Sequence, residues 1–156
     1  MECEAVCKIA AKLEDINASY RIISPYDAQR AAMENALKQH NLDWHNKCYN
    51  VDSFQGKWPS EIILDPSDIF PLGNEDDYII ISVVRSHELG FLKDQRMTNV
   101  MLTRCKRGMF IITSKKFMDS KGGDCLAGEM LDELVKQVGN KAWITLEDIE
   151  KGEIVF

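Results

Sequence analysis

Apolar residues at Ala5, Val6, Ile9, Ala10, Leu13 and Ile16 recur at helical spacing and predict a first helix. Tyr20-Arg21-Ile22-Ile23 then reads as a short strand closed by Ser24-Pro25. Ser24 is the expected N-cap of a second helix, with Pro25 in its first position and Asp27 where a capping-box acid stands. That helix carries Ala28, Ala32, Met33 and Leu37 as far as Asn41. Residues 48–51 predict a second strand. Residues 77–84 (DYIIISVV) predict the strongest one, apolar on both faces as a central parallel strand covered by helices is. Asp94 caps a predicted third helix through Val100, Met101, Leu102 and Cys105, with Lys106 and Arg107 in its last turn and Gly108 at its stop. Residues 109–113 predict a further buried strand. A fourth helix after Gly122-Gly123-Asp124 uses Leu126, Met130, Leu131, Leu134 and Val135, and Trp143, Ile144, Leu146 and Ile149 close the sheet. Strands and helices alternate, which predicts an α/β fold: an open parallel sheet with helices on both faces. Residues 58–74 (WPSEIILDPSDIFPLGN) break the rhythm, holding three of the four prolines without sustained periodicity, and read as a long loop.

Composition narrows the class. At 156 residues the chain fits one domain. Its 45% hydrophobic and 28% charged residues exclude collagen-like, coiled-coil and wholly disordered readings. No apolar run approaches the roughly 20 residues of a membrane span. Glu2 and Glu4 after Met1 give no sign of a secretory signal, so a cytoplasmic or nuclear location without membrane contact is expected. Cys3, Cys7, Cys48, Cys105 and Cys125 are scattered without metal-ligand spacing, so reduced thiols and no metal site are expected. A net charge of −6 excludes nucleic-acid binding by bulk charge, leaving only a local basic cluster for such contact.

Three polar clusters lie at predicted strand ends or on the elements that follow, where open parallel sheets bind ligands. They read SPYDAQ (24–29), VDSFQGK (51–57) and RMTNVMLTRCKRG (96–108). Each alone has an ordinary explanation as a helix start, a turn or a solvated helix end. Together with DDYIIISVVRS and GFLKD, in this order, they resemble the C-terminal RecA-like motor domain of superfamily 1 DNA and RNA helicases, in the branch of the nonsense-mediated-decay and Sen1-like enzymes. The resemblance covers residues 2–117.

The resemblance implies a RecA-like fold forming one wall of an ATP cleft between two lobes. It places Arg104 as the arginine finger, whose guanidinium stabilises charge developing on the γ-phosphate. Gln29, Gln55, Gly56, Glu75 and Arg96 fall at positions facing the nucleotide, and Ser24, Ser53 and Arg85 along the nucleic-acid track. Tyr26 takes a packing or stacking role. The implied partners are single-stranded RNA or DNA, bound weakly by this chain alone, and an N-terminal motor domain.

Departures from the pattern bear on function. Met97 follows Arg96 where the family commonly has a second arginine, and Asn50 stands where threonine is frequent. The family runs from QGKE or QGRE directly into the acidic turn. Here Trp58 follows Lys57 and the acids return only at Glu75-Asp76-Asp77, so residues 58–74 read as an insertion that displaces Glu75. The sequence holds no G-x-x-x-x-G-K-[ST] phosphate loop and no Asp-Glu pair after an apolar strand to hold Mg²⁺. ATP and Mg²⁺ are therefore expected only together with an N-terminal motor domain. The expected organisation is a helicase C-terminal domain over residues 1–120, then a C-terminal helix and acidic tail over 121–156. The leading function is the C-terminal half of an ATP-dependent helicase, inactive alone. The alternative is a non-catalytic nucleic-acid or protein interaction module derived from one. A flavodoxin-like domain is disfavoured because no Gly-rich loop follows a strand.

Overall fold

A computed structural model describes residues 2–50, 76–83, 90–102, 104–120, 123 and 125–152. Helix α1 (Glu2–Asp15) buries Val6, Cys7, Ile9, Ala10 and Leu13, and the chain turns back just after it at Asn17, whose φ is 54°. Strand β1 (Tyr20–Ser24) leads to α2 (Asp27–Gln39) and β2 (Cys48–Asn50). Strand β3 (Asp76–Ser82) precedes a 3₁₀ turn (Gly90–Lys93) and α3 (Gln95–Leu102). Strand β4 (Cys105–Ile112) leads to α4 (Lys115–Ser120), α5 (Leu126–Val138), a second 3₁₀ turn (Gly139–Ala142) and α6 (Leu146–Lys151). The segment 58–74, expected to be an inserted loop, lies outside the described residues.

The four strands are parallel, in the order β2-β1-β3-β4. Strand β3 pairs on both sides, with Ile80 beside Ile22 and Phe110. Its period of two divides the core. Ile79, Ile81 and Val83 join Leu92, Leu102, Phe117 and Met118 on one face. Tyr78 and Ile80 join α1, Met33, Leu37 and Ile149 on the other. Burying one such isoleucine removes enough apolar surface to contribute about 1.5–3 kcal/mol, so the continuous apolar run of β3 is what two-sided coverage demands. The open α/β sheet expected from alternation is the one observed.

Two local expectations are corrected. Ser24 does not cap α2. It is fully buried as the last residue of β1, opposite Asn50, and its Oγ accepts from the Tyr26 N–H at 3.4 Å. Tyr26, with φ −122° and ψ 124°, holds the N-cap position without a side-chain cap bond, so Asp27 opens the helix instead of standing in its capping box. The third helix stops at Leu102, so Cys105, Lys106 and Arg107 belong to β4 and not to a last helical turn. Pairing Cys105 with Asp76 extends the ladder along the whole of β3, which outweighs local helix preference. Gly108 is accordingly not a helix stop. It sits inside β4, where an added Cβ would lie 2.9 Å from the Tyr78 ring.

The C-terminal elements complete the same core. Ala127 of α5 is buried on one face and Ile149 of α6 on the other, while Trp143 packs beneath Lys115, whose Nζ lies 5.7 Å from its ring centre. Thr145 and Asp148 form a reciprocal capping box at the start of α6. Lys8 ties α1 to Glu4 at 2.9 Å and to Glu150 of α6. Ile144, expected to pack inward, is exposed.

Candidate functional site

Parallel strands gather their C-terminal ends at one edge of the sheet, and several expected site residues meet there. Gln29, in the first turn of α2, donates from Nε2 to Ser82 Oγ at 3.2 Å and to Glu2 Oε2 at 3.5 Å. It thereby ties the end of β3 to the starts of α1 and α2. Ser24 lies beside it at the end of β1. Asn50 Nδ2 donates to Asp27 Oδ1 at 2.7 Å, pinning the end of β2 to α2. On the same edge a cleft of about 610 Å³ opens between the Gly90–Lys93 turn and the first turns of α3 and α5. Leu92, Lys93, Asp94, Gln95, Cys125 and Glu129 line it. Arg96 lies in the first turn of α3, next to Gln95 in the chain.

Arg104 is elsewhere. It directly precedes β4, half-buried, beside the pairing of Cys105 with Asp76 at the N-terminal edge of the sheet. Asp76 there pairs with Arg21, whose guanidinium lies 5.3 Å from the centre of the Tyr49 ring. Exposed Lys106 and Arg107 follow on β4, Arg107 lying 5.7 Å from the Tyr78 ring centre. Asp76 to Ser82 is six strand steps, so this edge is about 20 Å from Gln29 and Ser82. Six helical steps, about 9 Å, carry the chain from Arg96 to the end of α3 at Leu102, two residues before Arg104. The structure thus splits the basic run at 96–107 between the two edges. Ser53, Gln55, Gly56, Glu75 and Arg85 lie outside the described residues.

Sequence reading missed Ser82, Glu2 and the Arg21–Asp76 pair. Ser82 was the legible signal, a single hydroxyl interrupting the apolar run where β3 ends. Arg21 and Asp76 are 55 positions apart, and only strand register brings them together. Two of the thiols, Cys7 and Cys48, are poor nucleophiles. Burial pushes Cys48 up to about 12, with the charge of Glu34 adding to it, and burial also raises Cys7. Among the described residues no group of three or more His, Cys, Asp or Glu is placed to hold a metal ion. No helix among them is long and apolar enough to cross a membrane.

Comparison with known proteins adds the context this geometry needs. Residues 66–116 match a family described as an AAA domain. The chain is 33% identical over 117 residues to an uncharacterized ATP-dependent helicase of Methanocaldococcus jannaschii, covering 75% of this chain and 15% of that protein. It is 32% identical over 124 residues to regulator of nonsense transcripts 1 of Dictyostelium discoideum, covering 74% and 8%. It is 30% identical over 124 residues to the ATP-dependent helicase upf1 of Schizosaccharomyces pombe, covering 74% and 12%. The chain therefore spans only a small part of the length of these relatives.

Proposed function

The chain is homologous to the C-terminal RecA-like region of superfamily 1 helicases of the nonsense-mediated-decay and Sen1-like branch, and on that premise we propose that it acts as one lobe of an ATP-dependent helicase motor. Arg104 is its catalytic contribution. The observation that carries this reading is the position of Arg104 within a matching TNVMLTR segment, anchored at the start of a strand whose pairing runs the length of β3. A rigid strand start holds a guanidinium with less freedom than a loop does. Its planar fork suits oxygens of a phosphoryl group in transfer.

On this reading ATP is not held by this chain alone, because the sequence has no phosphate loop and no Asp-Glu pair after an apolar strand to hold Mg²⁺. The nucleotide and its metal are therefore assigned to an N-terminal motor lobe, and this chain brings a cation to the cleft between them. The C-terminal edge, with Ser24, is assigned to the nucleic-acid track, to which the family pattern adds Ser53 and Arg85. Gln29 holds that edge together through Ser82 and Glu2. Single-stranded RNA or DNA binds this chain weakly by itself, as its net −6 charge requires.

Two assays test the proposal. The purified chain is expected to show no ATPase stimulated by single-stranded RNA, and robust turnover would refute the half-motor reading. Replacing the matching region of the M. jannaschii helicase with this chain is expected to yield an active motor. There Arg104→Ala lowers kcat by roughly 10³–10⁵, the range for arginine fingers, with nucleotide-free RNA binding unchanged. Arg104→Lys rescues little, because a point charge does not replace the fork. A second reading, a non-catalytic interaction module derived from a helicase, is favoured by Met97 and by the 58–74 segment. It predicts RNA binding by the chimera with ATPase indifferent to Arg104.

A further inference from the structure

Arg104 precedes Cys105, and the pairing of Cys105 with Asp76 stands apart from the rest of the β3–β4 ladder. The register passes from Asp76 beside Cys105 to Tyr78 beside Gly108, so Lys106 and Arg107 together face Asp77 in a bulge. The regular ladder that holds residues 108–112 therefore does not carry over to Cys105. On the other side of β3, the ladder with β1 begins only at Tyr78, beside Tyr20. Side chains hold the two residues before it. Ser19 Oγ accepts from the Asp77 N–H at 3.0 Å, and the Ser19 N–H donates to Asp77 Oδ2 at 3.4 Å. The Arg21 guanidinium pairs with Asp76.

That ion pair is shielded from water, with side-chain exposures of 20% for Arg21 and 16% for Asp76. Arg21 is itself seated against Tyr49, 5.3 Å from the centre of the ring. Tyr49, Arg21, Asp76 and Cys105 thus make one row across β2, β1, β3 and β4. Arg104 stands at the end of the row, half-buried, with its Nε buried. A shielded pair is little screened by salt, and removing one member strands the charge of the other. We propose that Arg21 and Asp76 are positioning residues for Arg104. The pair fixes the start of β3, Asp76 fixes Cys105, and Cys105 sets the point from which the Arg104 guanidinium reaches a phosphoryl group. The role presupposes the half-motor reading. An arginine finger acts only when well placed, and a misplacement of about 1 Å can cost about 10²-fold in rate.

The first test uses the full chain. Arginine Nε–Hε NMR is expected to show the Arg104 signal shifting or broadening in Asp76→Asn and in Arg21→Gln. An unmoved Arg104 signal overturns the proposal. The second test uses the chimera with the M. jannaschii helicase. Each substitution is expected to lower kcat about 10- to 10²-fold with the KM for ATP unchanged, and to add less than about twofold where Arg104 is already alanine. A loss that multiplies with Arg104→Ala marks a merely structural role and overturns the proposal. So does a full kcat in Asp76→Asn when Arg104→Ala is inactive, and both outcomes leave the half-motor reading standing. If Arg104→Ala itself has no effect, the half-motor reading fails and the positioning role falls with it. Where Asp76→Asn does not fold, Arg21→Lys is read in its place. It keeps the charge and loses the fork, and it is expected to lower kcat several-fold with the same dependence on Arg104.

Discussion

Gly108→Ala tests the strand assignment of residues 105–112 directly. Glycine inside a strand costs roughly 0.5–1 kcal/mol relative to alanine, so propensity alone predicts that the substitution stabilises. The structure predicts the opposite. A Cβ at position 108 lies 2.9 Å from Tyr78 Cε1 and 3.0 Å from Cδ1, well inside the roughly 3.5–4.0 Å optimum of carbon contacts. The ring has little room to retreat, because Tyr78 is 4% exposed, with Phe110 centred 6.2 Å away and Arg107 nearby. Overpacking of this kind costs about 1–3 kcal/mol. Subtracting the propensity gain leaves a net loss of up to about 2.5 kcal/mol, centred near 1. For a chain of this size each kcal/mol is worth about 2–4 °C in Tm. Differential scanning calorimetry should therefore show Gly108→Ala melting lower by about 2–4 °C, and by no more than about 10 °C. In a Tyr78→Leu background, where the ring is gone, the same substitution should become neutral or stabilising. A higher Tm for Gly108→Ala in the otherwise unchanged chain would refute the close approach, and with it the register of β4.

Other predictions follow from buried or capped groups. Tyr20 donates its one hydroxyl proton to Glu14 at 2.6 Å, with the Asp43 carbonyl 3.2 Å away, so Tyr20→Phe should destabilise by about 1–2 kcal/mol in urea titration. Burial and Glu14 raise the Tyr20 phenol above its ordinary range. A raised acid stabilises the fold while protonated, so that contribution falls as pH climbs past about 10, and phenolate absorbance at 295 nm should show Tyr20 ionising only on unfolding. Buried Cys7, its thiol raised, should react with a disulfide reagent at pH 8 at the unfolding rate, and half-buried Cys48, pushed up to about 12, should react far more slowly than an exposed thiol; reaction of Cys7 faster than unfolding would contradict its burial. Bonds from Thr145 hold Asp148 below the usual aspartate range, so its contribution is present at neutral pH and lost as pH falls through that lowered value. Thr145→Ala should reduce stability at pH 7 and narrow its difference from the unaltered chain in strong acid, as followed by circular dichroism.

The sequence by itself determined the class of the fold and the identity of its strongest elements. The spacing of Val6, Ile9, Ala10 and Leu13 specifies a helix, and the unbroken apolar run of β3 specifies a strand covered on both faces. Both are patterns within about ten residues, and solvent exclusion acts on them whatever the rest of the chain does. The motif order 24–29, 51–57 and 96–108 was equally legible, because it is carried by side-chain identity. Tertiary structure alone decided where those motifs stand. Ser24, in sequence an apt helix cap, belongs to β1 because pairing with β2 claims its backbone. Residues 105–107, in sequence a helix end, belong to β4 because β3 offers them a ladder, and that choice moves Arg104 to the edge opposite Gln29. The apolar face of α5 reads as core along its full length, yet only its first turns reach the sheet. In each case the deciding contact joins segments distant in the chain, and such contacts form only when the whole sheet assembles.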